Sequence, residues 1–423
     1  MVKSNLKNFS NGLRLITIPM KDSLTVTVLV LVETGSFYES KKQSGLSHFL
    51  EHMCFKGTVE RPNTMVISSE LDSIGSQYNA FTSNEYTGYY AKSSPRHLNK
   101  ILDIVSDIYL NPTFSKNEIE KEKGVIIEEI NMYEDIPQKQ VHDLFASLLF
   151  GDQPSGRSVL GNKENVKNMK RGDFVKYHKD HYIPNKTLVV VSGQIKEEEI
   201  LELIKNSFGK LKKQKFIPQK KTKINQKKPK LAIKYKDTDQ AHIVLGFRSY
   251  NVYHKDNYIL DLLGIILSGG FSSRLFMKLR EELGVAYYVR AGNNSSINHG
   301  DFTISAGVSK DKIYEIIREI LKECSKIKDE AISHIELEKS KEYLIGNMKL
   351  ELESSDAWAM YYGGQGILRK KQQDLDFFEK KIRSITPVQI QNAAKDIFQN
   401  KGLNLAIVGP FKDIKSIEKT LYL

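Results

Sequence analysis

The two halves of this 423-residue chain repeat one another, and no other feature of the sequence constrains its fold as strongly. The apolar run 188–193 (LVVVSG) is followed by an amphipathic stretch at 197–208, and this pair recurs at 403–409 (LNLAIVG) and 413–420. Other matching segments stand at a similar offset of about 216 residues. A near-constant offset indicates that one domain was duplicated.

Each half mixes strand-like runs with longer helical patterns. The runs 24–33 and 241–247 are apolar and rich in β-branched residues, whereas 95–110, 116–134 and 312–328 show helical periodicity. Strands grouped into a sheet, with helices packed on that sheet, make an α+β fold. We therefore predict two duplicated α+β domains.

The net charge of +12 is concentrated in one lysine-rich segment. Residues 210–230 contain ten lysines and no acidic residue, which leaves about +2 for the rest of the chain. No recognisable nucleic-acid-binding fold surrounds it, so we interpret it as a solvated linker, with weak attraction to anions as the alternative. We predict an N-terminal domain at 1–212, the lysine-rich linker at 213–230 and a homologous C-terminal domain at 231–423, with no nucleic-acid partner.

The cysteine content and the start of the chain bear on cellular location. Cys54 and Cys324 are too few for a disulfide framework, which suits a reducing compartment. The N-terminal segment lacks a secretory apolar region, and the apolar run 24–32 is too short to cross a membrane. We predict a cytoplasmic protein without a membrane partner, and the sequence leaves open whether a leader was removed.

The segment His48-Phe49-Leu50-Glu51-His52 is typical of a zinc hydrolase. Residues four apart on a helix lie one above the other, so His48 and His52 can face one metal while Glu51 projects from nearly the same side. Composition alone gives this pattern in about one such chain in fifty, so the motif needs support from the rest of the sequence.

A third ligand is needed for a zinc site that keeps one position open, and a carboxylate from another helix is a common one. Glu122, Glu128 and Glu129 are the candidates. Glu122 and Glu129 are two helical turns apart and share a face, whereas Glu128 points elsewhere. The alternative is that all three are solvated helix charges.

Together these residues resemble a known family. Glu129 follows His52 by 77 residues, and Glu122 stands seven residues before it, as in the pitrilysin family of inverted zincins. The chain is most similar to the short two-domain members related to mitochondrial processing peptidase. Further family-like segments are YNAFTSNEYT at 78–87, HYIPN at 181–185 and GGFSSRL at 269–275.

The resemblance implies a fold and a set of metal ligands. The fold would be two duplicated domains, each a mostly antiparallel sheet with helices packed on it. One Zn²⁺ per chain would be held by His48, His52 and Glu129, and Glu51 would take a proton from the metal-activated water. Glu122 would orient a ligand or modulate local charge, with an exposed structural carboxylate as the alternative. The second half lacks the motif and should bind no metal.

The resemblance also assigns substrate contacts. Asn79, Ala80, Phe81 and Thr82 would form an edge strand to which an extended peptide adds, with an ordinary internal strand as the alternative. In the second half, Arg280 would hold substrate carbonyls.

Tyr287 would donate a hydrogen bond to the oxyanion. Tyr288 beside it is a competing candidate, and packing roles are the alternative for both Arg280 and Tyr287. Long relatives fuse two such two-domain units, so we predict a homodimer in which Arg280 and Tyr287 act on the zinc site of the partner subunit.

The predicted function is that of a zinc metalloendopeptidase. It would cleave extended peptides or unfolded segments within a closed dimeric chamber, with Glu51 as the general base. A non-catalytic assembly subunit of a larger complex is the main alternative, and a zinc hydrolase of small non-peptide substrates is a second. The physiological substrate is not readable from the sequence.

Overall fold

The computed structural model describes residues 2–423, apart from the side chain of Ile414, and these residues form two compact units. Unit 1 comprises the chain up to Ile130 together with Ser158–Lys220 and Leu350–Asp374, and unit 2 comprises Asn131–Arg157, Lys221–Lys349 and Leu375–Leu423. Each unit therefore includes a segment from the other half of the sequence. The domain boundaries predicted from the sequence, 1–212, 213–230 and 231–423, describe its duplicated halves and stay a prediction.

The strands form two sheets with matching order, except that the sheet of unit 1 has one additional edge strand. In chain order they are β1 (Asn5–Asn8), β2 (Arg14–Pro19), β3 (Val26–Val32), β4 (Gln77–Thr82), β5 (Thr87–Ser93), β6 (Thr187–Gly193), β7 (Lys230–Tyr235), β8 (Gln240–Ser249), β9 (Ala286–Ser295), β10 (Gly300–Ser309) and β11 (Asn404–Gly409).

The sheet of unit 1 has the order β1-β2-β6-β3-β5-β4, and the sheet of unit 2 has the order β7-β11-β8-β10-β9. In each sheet one pair is parallel, β2 with β6 and β7 with β11, and the remaining described pairs are antiparallel. The prediction of an α+β fold with two mostly antiparallel sheets is confirmed.

Helices cover both sheets. In chain order they are α1 (Leu46–Cys54), α2 (Thr64–Asp72), α3 (Leu98–Leu110), α4 (Lys116–Asp135), α5 (Pro137–Phe150), α6 (Lys163–Asn168), α7 (Arg171–His181), α8 (Glu197–Phe208), α9 (Asn257–Ser268), α10 (Arg274–Phe276), α11 (Ile313–Asp329), α12 (His334–Glu351), α13 (Ser355–Leu368), α14 (Leu375–Arg383), α15 (Pro387–Ile397) and α16 (Ile414–Glu418). Among the described residues, none of these helices combines the length and the apolar composition that crossing a bilayer requires.

The sheet of unit 1 is covered by α3 and by α13, which comes from the second half of the sequence. The Ser355 hydroxyl, in the first turn of α13, is 2.8 Å from the hydroxyl of Thr27 on β3. A Cβ atom added at Gly366 would lie only 2.8 Å from Leu188 Cδ2 on β6. Glycine therefore lets this helix approach the sheet closely.

The sheet of unit 2 is covered in the reciprocal way. The helices α9 and α11, from its own half, pack into its main core, whereas α5 comes from the first half of the sequence. Val141 and Phe145 of α5 cluster with Val244 of β8 and with Ala406 and Val408 of β11. Each sheet is thus completed by a helix that lies far away in the chain.

Candidate metal centre

The helix that carries the histidine motif, α1, is fixed at its N-terminus by a buried carboxylate. Glu39 accepts hydrogen bonds from the backbone N–H groups of Gly45, at 2.8 Å, and Ser47, at 2.6 Å. These donors have no partner within the helix, and a negative charge is favourable at this end of a helix. Gly45 has φ of 98°, and a Cβ atom there would lie 2.6 Å from the Leu160 carbonyl oxygen. Capping and close packing together set the position of α1.

Three predicted ligands meet between α1 and α4. Glu129 Oε2 lies 3.5 Å from His48 Nε2 and 3.7 Å from His52 Nε2. One potential ligand atom from each residue lies within 4.8 Å of those of the other two. Two imidazole nitrogens and one carboxylate are a donor set that suits Zn²⁺, so these residues fit the metal that the motif implies.

His48 is held as a neutral imidazole. Burial, and secondarily the charge of His52, lowers the pKa of His48 to about 3. Its Nδ1 atom is buried without a hydrogen-bond partner, whereas Nε2 faces Glu129. The neutral form is the one that binds metals, so His48 needs no deprotonation near neutral pH to act as a ligand.

His52 is oriented by a chain of polar contacts. Its Nδ1 atom lies 2.9 Å from Glu122 Oε1, and Glu122 Oε2 lies 2.7 Å from the ammonium nitrogen of Lys56. When Nδ1 carries the proton and donates it to Glu122, Nε2 is left with a lone pair directed at Glu129. Glu122 is buried, with 4 % of its surface exposed, unlike the exposed carboxylate of the alternative interpretation.

The same contacts set the charges of these two residues. Burial alone would lower the pKa of His52, but the hydrogen bond to Glu122 and the charges of Glu51, Glu122 and Glu129 raise it. Burial alone would raise the pKa of Glu122, but its hydrogen bonds with His52 and Lys56 lower it. Glu122 is therefore held as a carboxylate.

Glu51 is placed by the neighbouring strand β4. Its Oε2 atom accepts a hydrogen bond of 2.6 Å from the hydroxyl of Thr82. Burial raises the pKa of Glu51, while this hydrogen bond and the charge of His52 oppose the rise. One carboxylate oxygen is thus engaged by Thr82, and this contact was not predicted because nothing in the sequence spacing signals it.

The predicted substrate strand is the edge strand β4. It pairs with β5 and ends the sheet of unit 1. The N–H of Ala80 donates to the side-chain oxygen of Asn79 at 2.8 Å, and the ring of Phe81 packs on Tyr86 with 6.0 Å between centroids. A strand at an edge has main-chain groups that the sheet does not use, as peptide addition requires.

Arg280 and Tyr287 lie together in unit 2. Arg280 stands in a π-helical turn, Met277–Glu282, and donates to the Tyr287 carbonyl oxygen at 3.2 Å. Tyr287 is 64 % exposed, whereas the hydroxyl of Tyr288 lies 3.2 Å from His242 Nδ1. The contacts leave the Tyr287 side chain accessible and engage that of Tyr288.

Two family descriptions match the sequence in succession. Residues 15–163 match "Insulinase (Peptidase family M16)", and residues 168–344 match "Peptidase M16 inactive domain". The metal ligands and Glu51 all fall in the first match. Arg280 and Tyr287 fall in the second.

Relatives cover nearly the whole chain. The "Uncharacterized zinc protease YmxG" of Bacillus subtilis is 34 % identical over 407 residues, which are 96 % of this chain and 98 % of that protein. The "Uncharacterized zinc protease ML0855" of Mycobacterium leprae is 31 % identical over 413 residues, covering 97 % and 92 %.

Two solved structures share the fold. A protease from Helicobacter pylori has a TM-score of 0.90 at 24 % identity and covers 96 % of this chain and 100 % of that one. A peptidase M16 inactive domain from Pseudomonas fluorescens has a TM-score of 0.89 at 15 % identity and covers 98 % and 100 %.

Proposed function

Because this chain belongs to the insulinase family of peptidases, family M16, we propose that it is a zinc-dependent endopeptidase. Its substrates would be extended peptides or unfolded segments, cleaved inside a closed dimeric chamber. The observation that carries the proposal is the convergence of His48, His52 and Glu129 on α1 and α4, with Glu51 on the same helix as the two histidines. A protein with this fold but without catalytic activity would not need these four residues together.

Each residue of the centre has a distinct task. The Nε2 atoms of His48 and His52 and the carboxylate of Glu129 would hold the metal. Bound Zn²⁺ would lower the pKa of water and polarise the peptide carbonyl. Glu51 would take the proton from the attacking water and pass it to the leaving amine. The Thr82 hydroxyl would keep one Glu51 oxygen engaged, so that the other is directed at the water.

Substrate binding would use the edge strand β4. An extended peptide would pair with main-chain groups of residues 79–82, which gives affinity with little sequence selectivity. The N–H of Ala80 would exchange the Asn79 side chain for a substrate carbonyl. This exchange replaces one hydrogen bond by another and so costs little.

A second subunit would complete the catalytic groups. The exposed Tyr287 hydroxyl would donate to the oxyanion, and Arg280 would hold a substrate carbonyl, both acting on the metal centre of the partner subunit. An isologous homodimer would contain two such centres.

The test is to measure zinc content and peptide cleavage on the same purified protein. We expect about one zinc ion per chain and cleavage of a quenched fluorescent peptide that a chelator abolishes. Glu51→Gln should keep the zinc but lower kcat by about 10²- to 10⁴-fold. Glu128→Gln, on an exposed side of α4, is the matched control and should retain activity. A metal-free and inert wild-type protein would instead favour the assembly-subunit alternative.

A further inference from the structure

Lys56 lies behind the candidate metal centre. Among the described residues, its side chain makes no direct polar contact with the predicted ligands His48, His52 and Glu129. Its ammonium nitrogen is 2.7 Å from Glu122 Oε2, while Glu122 Oε1 is 2.9 Å from His52 Nδ1. Both oxygens of one buried carboxylate are therefore engaged, one by a cation and one by a ligand. The sequence motif and the family resemblance assigned no role to Lys56.

The loop that carries Lys56 is anchored, so the contact is not that of a freely moving surface lysine. The Thr58 hydroxyl donates to Asp107 Oδ2 at 2.6 Å, and Arg61 donates to the same oxygen at 2.7 Å. Asp107 belongs to α3 and is buried. The chain leaving α1 is thus tied to α3 within a few residues of Lys56.

The two histidine ligands differ in what holds their second ring nitrogen. His48 Nδ1 is buried without a hydrogen-bond partner, so no hydrogen bond at that nitrogen sets the direction of the ring. His52 Nδ1 is held by Glu122, and the direction of the His52 ring follows the position of the carboxylate. Whatever fixes Glu122 therefore also fixes His52.

We propose that Lys56 is a positioning residue that acts through Glu122 on the metal ligand His52. This inference rests on the zinc site of the proposed function. Without Lys56, Glu122 Oε2 would be a buried acceptor that has lost its cation, and the carboxylate would turn to recover a partner. His52 Nε2 would then no longer be held in line with His48 and Glu129.

A positioning role and a purely electrostatic role for Lys56 predict changes of opposite sign in zinc affinity when Lys56 is replaced. The inference can therefore be tested. A lysine ammonium repels Zn²⁺, so removing its charge without moving any ligand would strengthen zinc binding. Loss of a group that orients a ligand weakens binding instead, typically by about 10- to 100-fold for an outer partner. The direction of the change in zinc affinity distinguishes the two.

The experiment is a zinc titration against a chromophoric chelator, which needs no catalytic turnover. Lys56→Met should weaken zinc binding by about 10-fold, and Lys56→Arg should restore it to within about threefold of the wild type. Lys121→Met removes an exposed ion pair with Glu118 on α4 and should leave the affinity unchanged. Lys56→Gln gives a second measurement if Lys56→Met does not fold.

A double-mutant cycle shows whether Lys56 acts through Glu122. In a Glu122→Gln background, Lys56→Met should cost little further affinity, because the carboxylate that Lys56 holds is absent. An equal loss in both backgrounds, or tighter zinc binding by Lys56→Met, would overturn the positioning role. Failure of the wild type to bind zinc would refute the proposed function itself, so the two failures are distinguishable.

Discussion

The two units have matching strand orders, but the candidate metal ligands belong to unit 1. Each sheet ends in an edge strand at the same position, β4 in unit 1 and β9 in unit 2. In unit 1, Thr82 on the edge strand contacts Glu51, next to the candidate ligands on α1 and α4. In unit 2, the edge strand carries Tyr287, which accepts a hydrogen bond from Arg280 through its main chain.

This difference distinguishes the residues that the fold needs from those that the proposed reaction would need. The sheet of unit 2 repeats the strand order of unit 1 apart from β1, and unit 2 contains no counterpart of the histidine motif, so the fold does not depend on those residues. Burying His48 and Glu122 costs free energy, and unit 2 has a matching sheet without the histidine motif. Their presence in unit 1 is best explained by function.

The largest expected effect tests whether unit 2 of one subunit acts on the candidate metal centre of the other subunit in a dimer. Glu51→Gln and Tyr287→Phe should each be nearly inactive, because one would lack the proposed base and the other the proposed oxyanion donor. When equal amounts are mixed and re-associated, about half of the dimers should be mixed, each with one complete centre, giving about one quarter of wild-type activity. Peptide cleavage before and after mixing measures this, and no recovery would rule out action in trans.

The grouping of the candidate metal ligands could be predicted from the sequence better than the connection between the two halves. Glu129 could be predicted because helical periodicity places it on one face with Glu122 and because the family spacing singles it out. The contact of Thr82 with Glu51 could not, because a hydrogen bond between residues 31 positions apart depends on sheet register.

The sequence also could not predict that each sheet is covered by a helix from the other half of the chain. In α5 and α13 the buried residues follow a helical spacing, but this spacing does not show which sheet each helix covers. Only the packing of Phe145 beside Gly246, and of Gly366 on Leu188, shows that each sheet is completed from the other half of the sequence.

A smaller effect concerns the edge strand of unit 1. Thr82→Val keeps the shape of the side chain but removes the donor to Glu51, and a hydrogen bond to a charged group contributes about 1.5–3 kcal/mol. We expect kcat to fall by about 10- to 100-fold with little change in KM, and Thr82→Ser to retain most activity. A loss that appears in KM alone would show that Thr82 acts in substrate binding and not on the base.

Acid should weaken unit 1 through neutral histidines that are buried, His48 and His181, or partly buried, His178. Burial is the main cause that lowers the pKa of His48 to about 3 and those of His178 and His181 to about 4. The unfolded chain therefore binds protons first, near pH 6.5, and stability present above that pH is lost as the pH falls towards 4.

For His178 alone this loss would be about 3 kcal/mol. Urea unfolding of the metal-free protein should therefore show a shallower pH dependence for His178→Gln than for the wild type. His334→Gln, at an exposed position in unit 2, should keep the wild-type slope. Equal slopes for the two variants would mean that His178 is not the group that takes up the proton.

The smallest effect tests the close approach of α13 to the sheet of unit 1. A Cβ atom at Gly366 would lie 2.8 Å from Leu188 Cδ2 and 2.9 Å from Ile16 Cδ1, whereas one at Gly364 would meet no atom within 4 Å. Gly366→Ala should lower the free energy of unfolding by about 1 kcal/mol, because crowding outweighs the gain in helix propensity. Gly364→Ala should raise it by about 0.5–1 kcal/mol. Chemical denaturation of both variants checks this, and equal stabilisation by both would mean that α13 packs less closely on β2 and β6 than the structure shows.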